Sequence, residues 1–215
     1  MISLVWKGSS AIYLKCGDLR VLLDPASLFS PEEISELGGV DLVLFTHEHS
    51  DHFDETFLES ISREFDISVV CNPGVHRILR GRLGERVHRV KDGEMVEIGG
   101  ARVHALRSVH PGHHPVVLLL EIEGVAIFHG DSTGFSKGFQ AFSPVDLAFI
   151  PVGSPSPNSS PSEAVRIVRA VVPRKVVPLH GSDREISDFV DRIRLSKLNV
   201  DVVVPSMGEL INLPL

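Results

Sequence analysis

The residues best suited to chemistry lie in one stretch, Thr46-His47-Glu48-His49-Ser50-Asp51-His52-Phe53-Asp54. Neutral imidazole and carboxylate are donors for zinc, iron or manganese, and a catalytic centre keeps one coordination position for water. His47 and His49 are two residues apart, so in extended backbone they point the same way. Asp51 and His52 follow where the chain turns into a helix, and can address a second point nearby. One H-x-H-x-D-H stretch can therefore begin two neighbouring metal sites. Chance alone gives the pattern in roughly one chain of this length in a thousand. The ordinary alternative is a solvated helix start in which Ser50 or Asp51 is the N-cap.

The elements around the stretch place it at a strand-to-helix junction. Val40 to Phe45 reads as a buried strand, and Glu55 to Phe65 as a helix with Phe57, Leu58, Ile61 and Phe65 on one face. Upstream, Ser10–Cys16 and Leu19–Leu23 form strands about the Gly17-Asp18 turn. Pro31 to Leu37 is a short helix that opens Ser-Pro-Glu-Glu. Downstream, Ile67–Cys71 is a strand, Asn72-Pro73-Gly74 a turn, and Val75 to Leu79 a helix. Val87–Val90, Glu94–Ile98, Ala101–Leu106, Val116–Ile122 and Val125–His129 are strands, the last two a hairpin about Glu123-Gly124. Leu147–Val152 and Lys175–Leu179 are strands that alternate with helices over Glu163–Val172 and Arg184–Leu198, and strands over Val200–Val204 and Glu209–Leu213 close the chain. Gly153 to Ser162 is a Ser/Pro-rich surface loop. Strands dominate the first half and strand-helix alternation the second, an α/β or α+β pattern of mixed sheets covered by helices.

Three further donors follow apolar strands: His110, in Ser-Val-His-Pro-Gly-His-His-Pro; Asp131, in His-Gly-Asp-Ser; and His180, after Val-Val-Pro-Leu. Singly, each has an ordinary reading, as a loop histidine, a turn aspartate and a partly buried histidine. Together they supply what the opening stretch lacks.

The chain has 215 residues, is 43% hydrophobic and 23% charged, and carries a net charge of -7. That length suits one domain over 1–215 with a substantial core. The acidic balance argues against nucleic acid as the partner, because phosphate binding wants a basic face. No apolar run is long enough for a membrane span, and the N-terminus lacks a signal-peptide pattern. Cys16 and Cys71 have no CxxC spacing and read as buried thiols. A reduced, cytoplasmic setting fits.

The series His47-x-His49-x-Asp51-His52, then His110, Asp131 and His180, resembles the ligand series of the metallo-β-lactamase superfamily. Gly8-Ser9, Val21 to Pro25, Phe128 to Asp131 and Gly208 to Ile211 extend the resemblance over nearly the whole chain. Within the superfamily the chain is most similar to stand-alone metal-dependent hydrolases that include the ascorbate-6-phosphate lactonase-like proteins. The resemblance implies a four-layer αββα sandwich. It implies that His47, His49 and His110 hold one divalent metal, that Asp51, His52 and His180 hold a second, and that Asp131 bridges them. His110 is preferred over His113 and His114 because it comes first after its strand. Zinc is the expected metal, with Mn2+ or Fe2+ as alternatives. Asp24 and His129 are candidates to stand behind the ligands, against readings as a turn former and a structural histidine. Asp183 and Arg184 are expected to cap the last helix.

Two divalent metals can share a hydroxide that is nucleophilic at neutral pH. Their four positive charges, offset by Asp51, Asp131 and the hydroxide, leave roughly one net positive charge. The expectation is a hydrolase acting on a small anionic ester, lactone or phosphoester, with Asp51 as the proton-handling residue. The alternatives are a nuclease or phosphodiesterase, or an iron-dependent redox protein on the same fold. The expected partner is a small molecule rather than nucleic acid or membrane, and a homo-oligomer is left open.

Overall fold

The structure is a computed structural model that describes residues 1–130, 132–153 and 158–215. The expected bridging role of Asp131 and the middle of the Ser/Pro loop fall outside these residues. In the first half come β1 (Ile2–Trp6), β2 (Ile12–Cys16), β3 (Leu19–Leu23), α1 (Pro31–Glu36), β4 (Leu42–Phe45), α2 (Glu55–Glu64), β5 (Ser68–Cys71), α3 (Pro73–Ile78), β6 (Val87–Arg89), β7 (Met95–Ile98) and β8 (Ala101–Arg107). Then follow β9 (Val116–Ile122), β10 (Val125–His129), β11 (Val145–Pro151), α4 (Pro161–Val171), β12 (Pro173–Leu179), α5 (Asp183–Ser196), β13 (Asp201–Val202) and β14 (Leu210–Leu213).

The strands form two seven-stranded sheets, in the orders β14-β1-β2-β3-β4-β5-β6 and β13-β12-β11-β10-β9-β8-β7. Alternation along the strands builds the layers. In β4, Leu42 and Leu44 enter the core between the sheets, while Val43 and Phe45 turn outward. In β9, Val116, Leu118 and Leu120 enter the same core, while Val117 and Leu119 face the other way. The outer face of the first sheet packs on Ile34, Phe57, Leu58, Ile61 and Val75 from α1, α2 and α3. The outer face of the second packs on Ala164, Ile167, Val168, Phe189 and Ile193 from α4 and α5. The result is the expected αββα sandwich.

Several boundaries differ from the sequence reading for local reasons. Asn72-Pro73-Gly74 is not a free turn but the start of α3, with Asn72 accepting from the Val75 amide and Pro73 in the first helical turn. Ser182, rather than Asp183 or Arg184, caps α5 through a capping box with Glu185. Residues Ile2–Trp6 form a strand between β2 and β14 that the sequence reading passed over.

Parallel pairing of β3 with β4, β4 with β5, β10 with β11 and β11 with β12 brings the carboxyl ends of these strands to one edge within each sheet. Asp24, Thr46-His47, Asn72, Gly130, Val152 and His180 all lie just beyond such ends. Ligand sites of open α/β sheets gather there. Cys16 and Cys71 are buried free thiols within the apolar packing, and burial pushes Cys71 up to about 12.

Candidate metal centre

The opening stretch folds as a tight turn rather than an extension of β4. The His49 carbonyl accepts from both the His52 and Phe53 amides, at 2.9 Å each. Phe53 then packs edge-on against Phe45, 5.1 Å between ring centroids. Helix α2 is capped by Asp54, which accepts from the Phe57 amide at 2.7 Å. Neither Ser50 nor Asp51 is used as the cap, and the Asp51 side chain stays 51% exposed.

Donor atoms gather in two groups. One donor atom from each of His47, His49 and His110 lies within 4.8 Å of the others, and the same holds for Asp51, His52 and His180. In the first group His49 Nδ1 stands 3.1 Å from His47 Nε2 and 3.3 Å from His110 Nε2. In the second, Asp51 Oδ2 stands 3.5 Å from His52 Nε2. The groups adjoin, with the His47 and His52 rings 4.0 Å apart. His113 and His114, the other candidates of their loop, are exposed and meet edge to face, 4.8 Å between ring centroids.

Behind the rings sits Asp24, fully buried. Its Oδ1 accepts from the Thr46 amide at 2.8 Å. Its Oδ2 accepts from Thr46 Oγ1 at 2.7 Å and His129 Nε2 at 2.8 Å, and lies 3.2 Å from His52 Nδ1. Thr46 Oγ1, having donated to Asp24, is left to accept from His47 Nδ1 at 3.0 Å. Both His47 and His52 thus turn Nε2, with its lone pair, toward the site, the usual way a carboxylate fixes a ligand ring. Asp24, His129 and Thr46 thus form one hydrogen-bonded group behind the His47 and His52 rings. Burial opposes the charge on Asp24, but the facing His52 and the hydrogen bonds from His129 and His52 outweigh it and hold the carboxyl below its ordinary range. Burial, reinforced by neighbouring His52, pushes His47 down to about 2, so its imidazole is neutral.

Glu48, between the two histidines, carried no signal in the sequence. It is half-buried, and its Oε1 accepts from the His113 amide at 2.7 Å. Asn72 Nδ2 donates to the His113 and His114 carbonyls at 3.0 and 3.2 Å. These contacts join the His110 loop to the H-x-H turn across 65 residues of sequence. On its other side that loop is tied to Thr133, whose Oγ1 accepts from the Val109 amide at 2.9 Å. The only cue was Glu48's place inside the motif, and no local pattern announces a contact that distant.

Backbone strain collects here. Ser9, Asp24, Ala26, His114, Ser132 and His180 all have positive φ, between 41° and 58°. Non-glycine residues hold such angles at about 1–3 kcal/mol each, and they cluster at functional sites. The donor set, neutral imidazoles and a carboxylate on a braced frame, is suited to divalent cations. A groove of about 480 Å3, lined by Val145, Val168, Val172 and Pro173, lies at the opposite ends of β11 and β12, and no histidine lines it.

Residues 3–180 match the family model described as the beta-lactamase superfamily domain. Among sequence relatives, a UPF0173 protein of Pyrococcus furiosus is 28% identical over 209 residues, covering 96% of each chain. A UPF0173 metal-dependent hydrolase of Caldivirga maquilingensis is 28% identical over 231 residues, covering 99% of this chain and 98% of that one. Among solved structures, a metallo hydrolase of Ignicoccus hospitalis superposes with a TM-score of 0.83 at 20% identity, covering 98% and 97% of the two chains. The diiron β-hydroxylase CmlA of Streptomyces venezuelae superposes with a TM-score of 0.76 at 18% identity, over 99% of this chain but 54% of that one. The chain thus belongs to the beta-lactamase superfamily and has the metallo-β-lactamase fold.

Proposed function

We propose that the protein is a metal-dependent hydrolase with two divalent cations, one held by His47, His49 and His110 and one by Asp51, His52 and His180, with Asp131 between them. The observation that carries this reading is the meeting of three ring nitrogens at 3.1 and 3.3 Å, with the His47 nitrogen held neutral and facing inward. Nitrogen lone pairs that converge so closely repel unless a cation or proton sits among them. The name of the Caldivirga maquilingensis relative, a metal-dependent hydrolase, supports the same reading.

Bound divalent cations supply Lewis acidity and a nucleophile at neutral pH. The chain's own residues do the rest. Asp24, Thr46 and His129 hold the rings in orientation. Asp51, half exposed beside His52, takes the proton of the attacking water. The water oxygen bonds to the carbonyl carbon or phosphorus, the bond to the leaving oxygen breaks, and Asp51 returns the proton to that oxygen. The net positive site selects a small anionic ester, lactone or phosphoester. The resemblance to ascorbate-6-phosphate lactonase-like proteins puts lactones first. Zinc is the first choice of metal. We place the protein in the cytoplasm, where its buried free thiols would stay reduced, with a small molecule rather than nucleic acid as its partner.

The test is a panel of lactones, phosphodiesters, phosphomonoesters and thioesters, run with metal-loaded protein before and after chelation. Hydrolysis of at least one class, lost on chelation and restored by metal, is expected. Turnover that survives full chelation, or none across the panel, would count against the proposal.

A further inference from the structure

Two buried hydroxyls crowd the inward nitrogens of the second donor group. Ser10, with 0% exposure, places Oγ 3.3 Å from His52 Nε2 and 3.2 Å from His180 Nε2. Ser132, 3% exposed, places Oγ 2.9 Å from His52 Nε2. Half-buried Ser9 adds a third hydroxyl 3.4 Å from His180 Nε2. Among His47, His49 and His110 the inward nitrogens meet ring to ring. The two serines are fixed from outside the site. The Ser132 backbone is left-handed, φ 54°, and its carbonyl accepts from Ser108 Oγ at 3.0 Å. Ser10 sits in the turn before β2 that closes with Ala11 N–H to Gly8 carbonyl at 3.0 Å.

The spacings are those of donors around one ion. Cis donors of an octahedral ion with bonds of about 2.1 Å stand about 3.0 Å apart. The Ser132–His52, Ser10–His180 and Ser10–His52 separations of 2.9, 3.2 and 3.3 Å, and Asp51–His52 at 3.5 Å, lie at that value or somewhat above it, close enough for one ion to draw them together. Resting on the two-cation reading above, we propose that Ser10 and Ser132 are hydroxyl donors to the Asp51–His52–His180 position. That position then offers two imidazoles and, from Asp51 and the two serines, three oxygens, besides the Asp131 that the reading above shares between both positions. The His47–His49–His110 position offers three imidazoles. Imidazole suits zinc, whereas oxygen-rich octahedral shells suit manganese. The two positions therefore differ in preference, and the second favours Mn2+ relative to zinc more strongly than the first.

The experiment uses chelated full-length protein given one equivalent of Zn2+ and then titrated with Mn2+, with free Mn2+ followed by electron paramagnetic resonance and bound zinc by elemental analysis. Wild type should take one Zn2+ and one Mn2+. The Ser10→Ala/Ser132→Ala double variant should bind Mn2+ about 10–100-fold more weakly while keeping its zinc equivalent. The retained zinc reports that the site is still folded. Each single alanine variant should fall between, so the proposal does not rest on the double variant's folding. Ser10→Thr, which keeps the hydroxyl, should bind Mn2+ more tightly than Ser10→Ala. Mn2+ affinity within twofold of wild type in the double variant overturns the hydroxyl assignment. A wild type that binds no second ion overturns instead the two-cation reading beneath it.

Discussion

Asp24→Asn is a sharp perturbation because it keeps the shape and removes one acceptor and the charge. The carboxylate is fully buried and serves the Thr46 amide through Oδ1, and Thr46 Oγ1, His129 Nε2 and His52 Nδ1 through Oδ2. An asparagine can present oxygen to only one of these sets. If its oxygen replaces Oδ1, its NH2 meets three donors; if it replaces Oδ2, its NH2 meets the Thr46 amide. At least one buried donor loses its acceptor, at about 1–3 kcal/mol. The remaining hydrogen bonds also lose the carboxylate's charge, which makes such bonds roughly twice as strong as neutral ones. A loss of about 3 kcal/mol is therefore expected in the metal-free protein. For a chain this long that lowers Tm by roughly 6–12 °C. The rings of His47 and His52 also lose their orientation, so divalent-metal affinity should fall about 10–100-fold. Thermal unfolding in chelator and a metal titration at neutral pH read the two effects. A variant that melts within about 2 °C of wild type and binds metal equally well would refute the assigned role of Asp24.

Other perturbations separate chemistry from architecture. Asp51→Asn should lower hydrolysis roughly 10²–10⁴-fold yet leave metal-free Tm unchanged, because the side chain is half exposed; a drop in Tm matching the loss of rate would contradict this. Glu48→Gln should weaken metal binding at the His47–His49–His110 position by loosening the His110 loop. Gly74→Ala should mimic it, since a Cβ there would displace the Glu48 carboxylate; wild-type metal affinity in both would remove Glu48 from the account. His47 is held at about 2 in the fold, below its unfolded value of about 6.5, so the unfolded chain binds the extra proton between those limits. Stability of the metal-free protein should therefore fall as pH drops below about 6.5, by about 1.4 kcal/mol per unit, or about 2 kcal/mol by pH 5. His47→Gln should flatten that slope, as denaturant unfolding at stepped pH would show.

Much of the fold was legible because it is written in local pattern. The β9–β10 hairpin is set by Glu123-Gly124, both at positive φ, which only a tight turn needs. The apolar faces of α2, α4 and α5 announced which sides pack. Strand β1 was passed over although it pairs with its neighbour β2, for no tight-turn pair marks the link between them and its other partner, β14, lies some 209 residues away. The same contrast holds at the site. The candidate donors could be named from type and position after strands, and of His110, His113 and His114 it is His110 whose ring lies beside His47 and His49. What braces the donors was hidden. Asp24 stood undecided between turn and support, because its partners Thr46, His52 and His129 are 22 to 105 residues distant. Glu48 and Ser132 are ordinary residues until the fold brings His113 and His52 beside them.

The most direct measurement is anomalous diffraction from crystals of the metal-loaded protein. Two peaks per chain are predicted, one within bonding distance of His47, His49 and His110 and the other of Asp51, His52 and His180. Metal bound elsewhere, or a single peak that leaves either triad without an ion, would contradict the account.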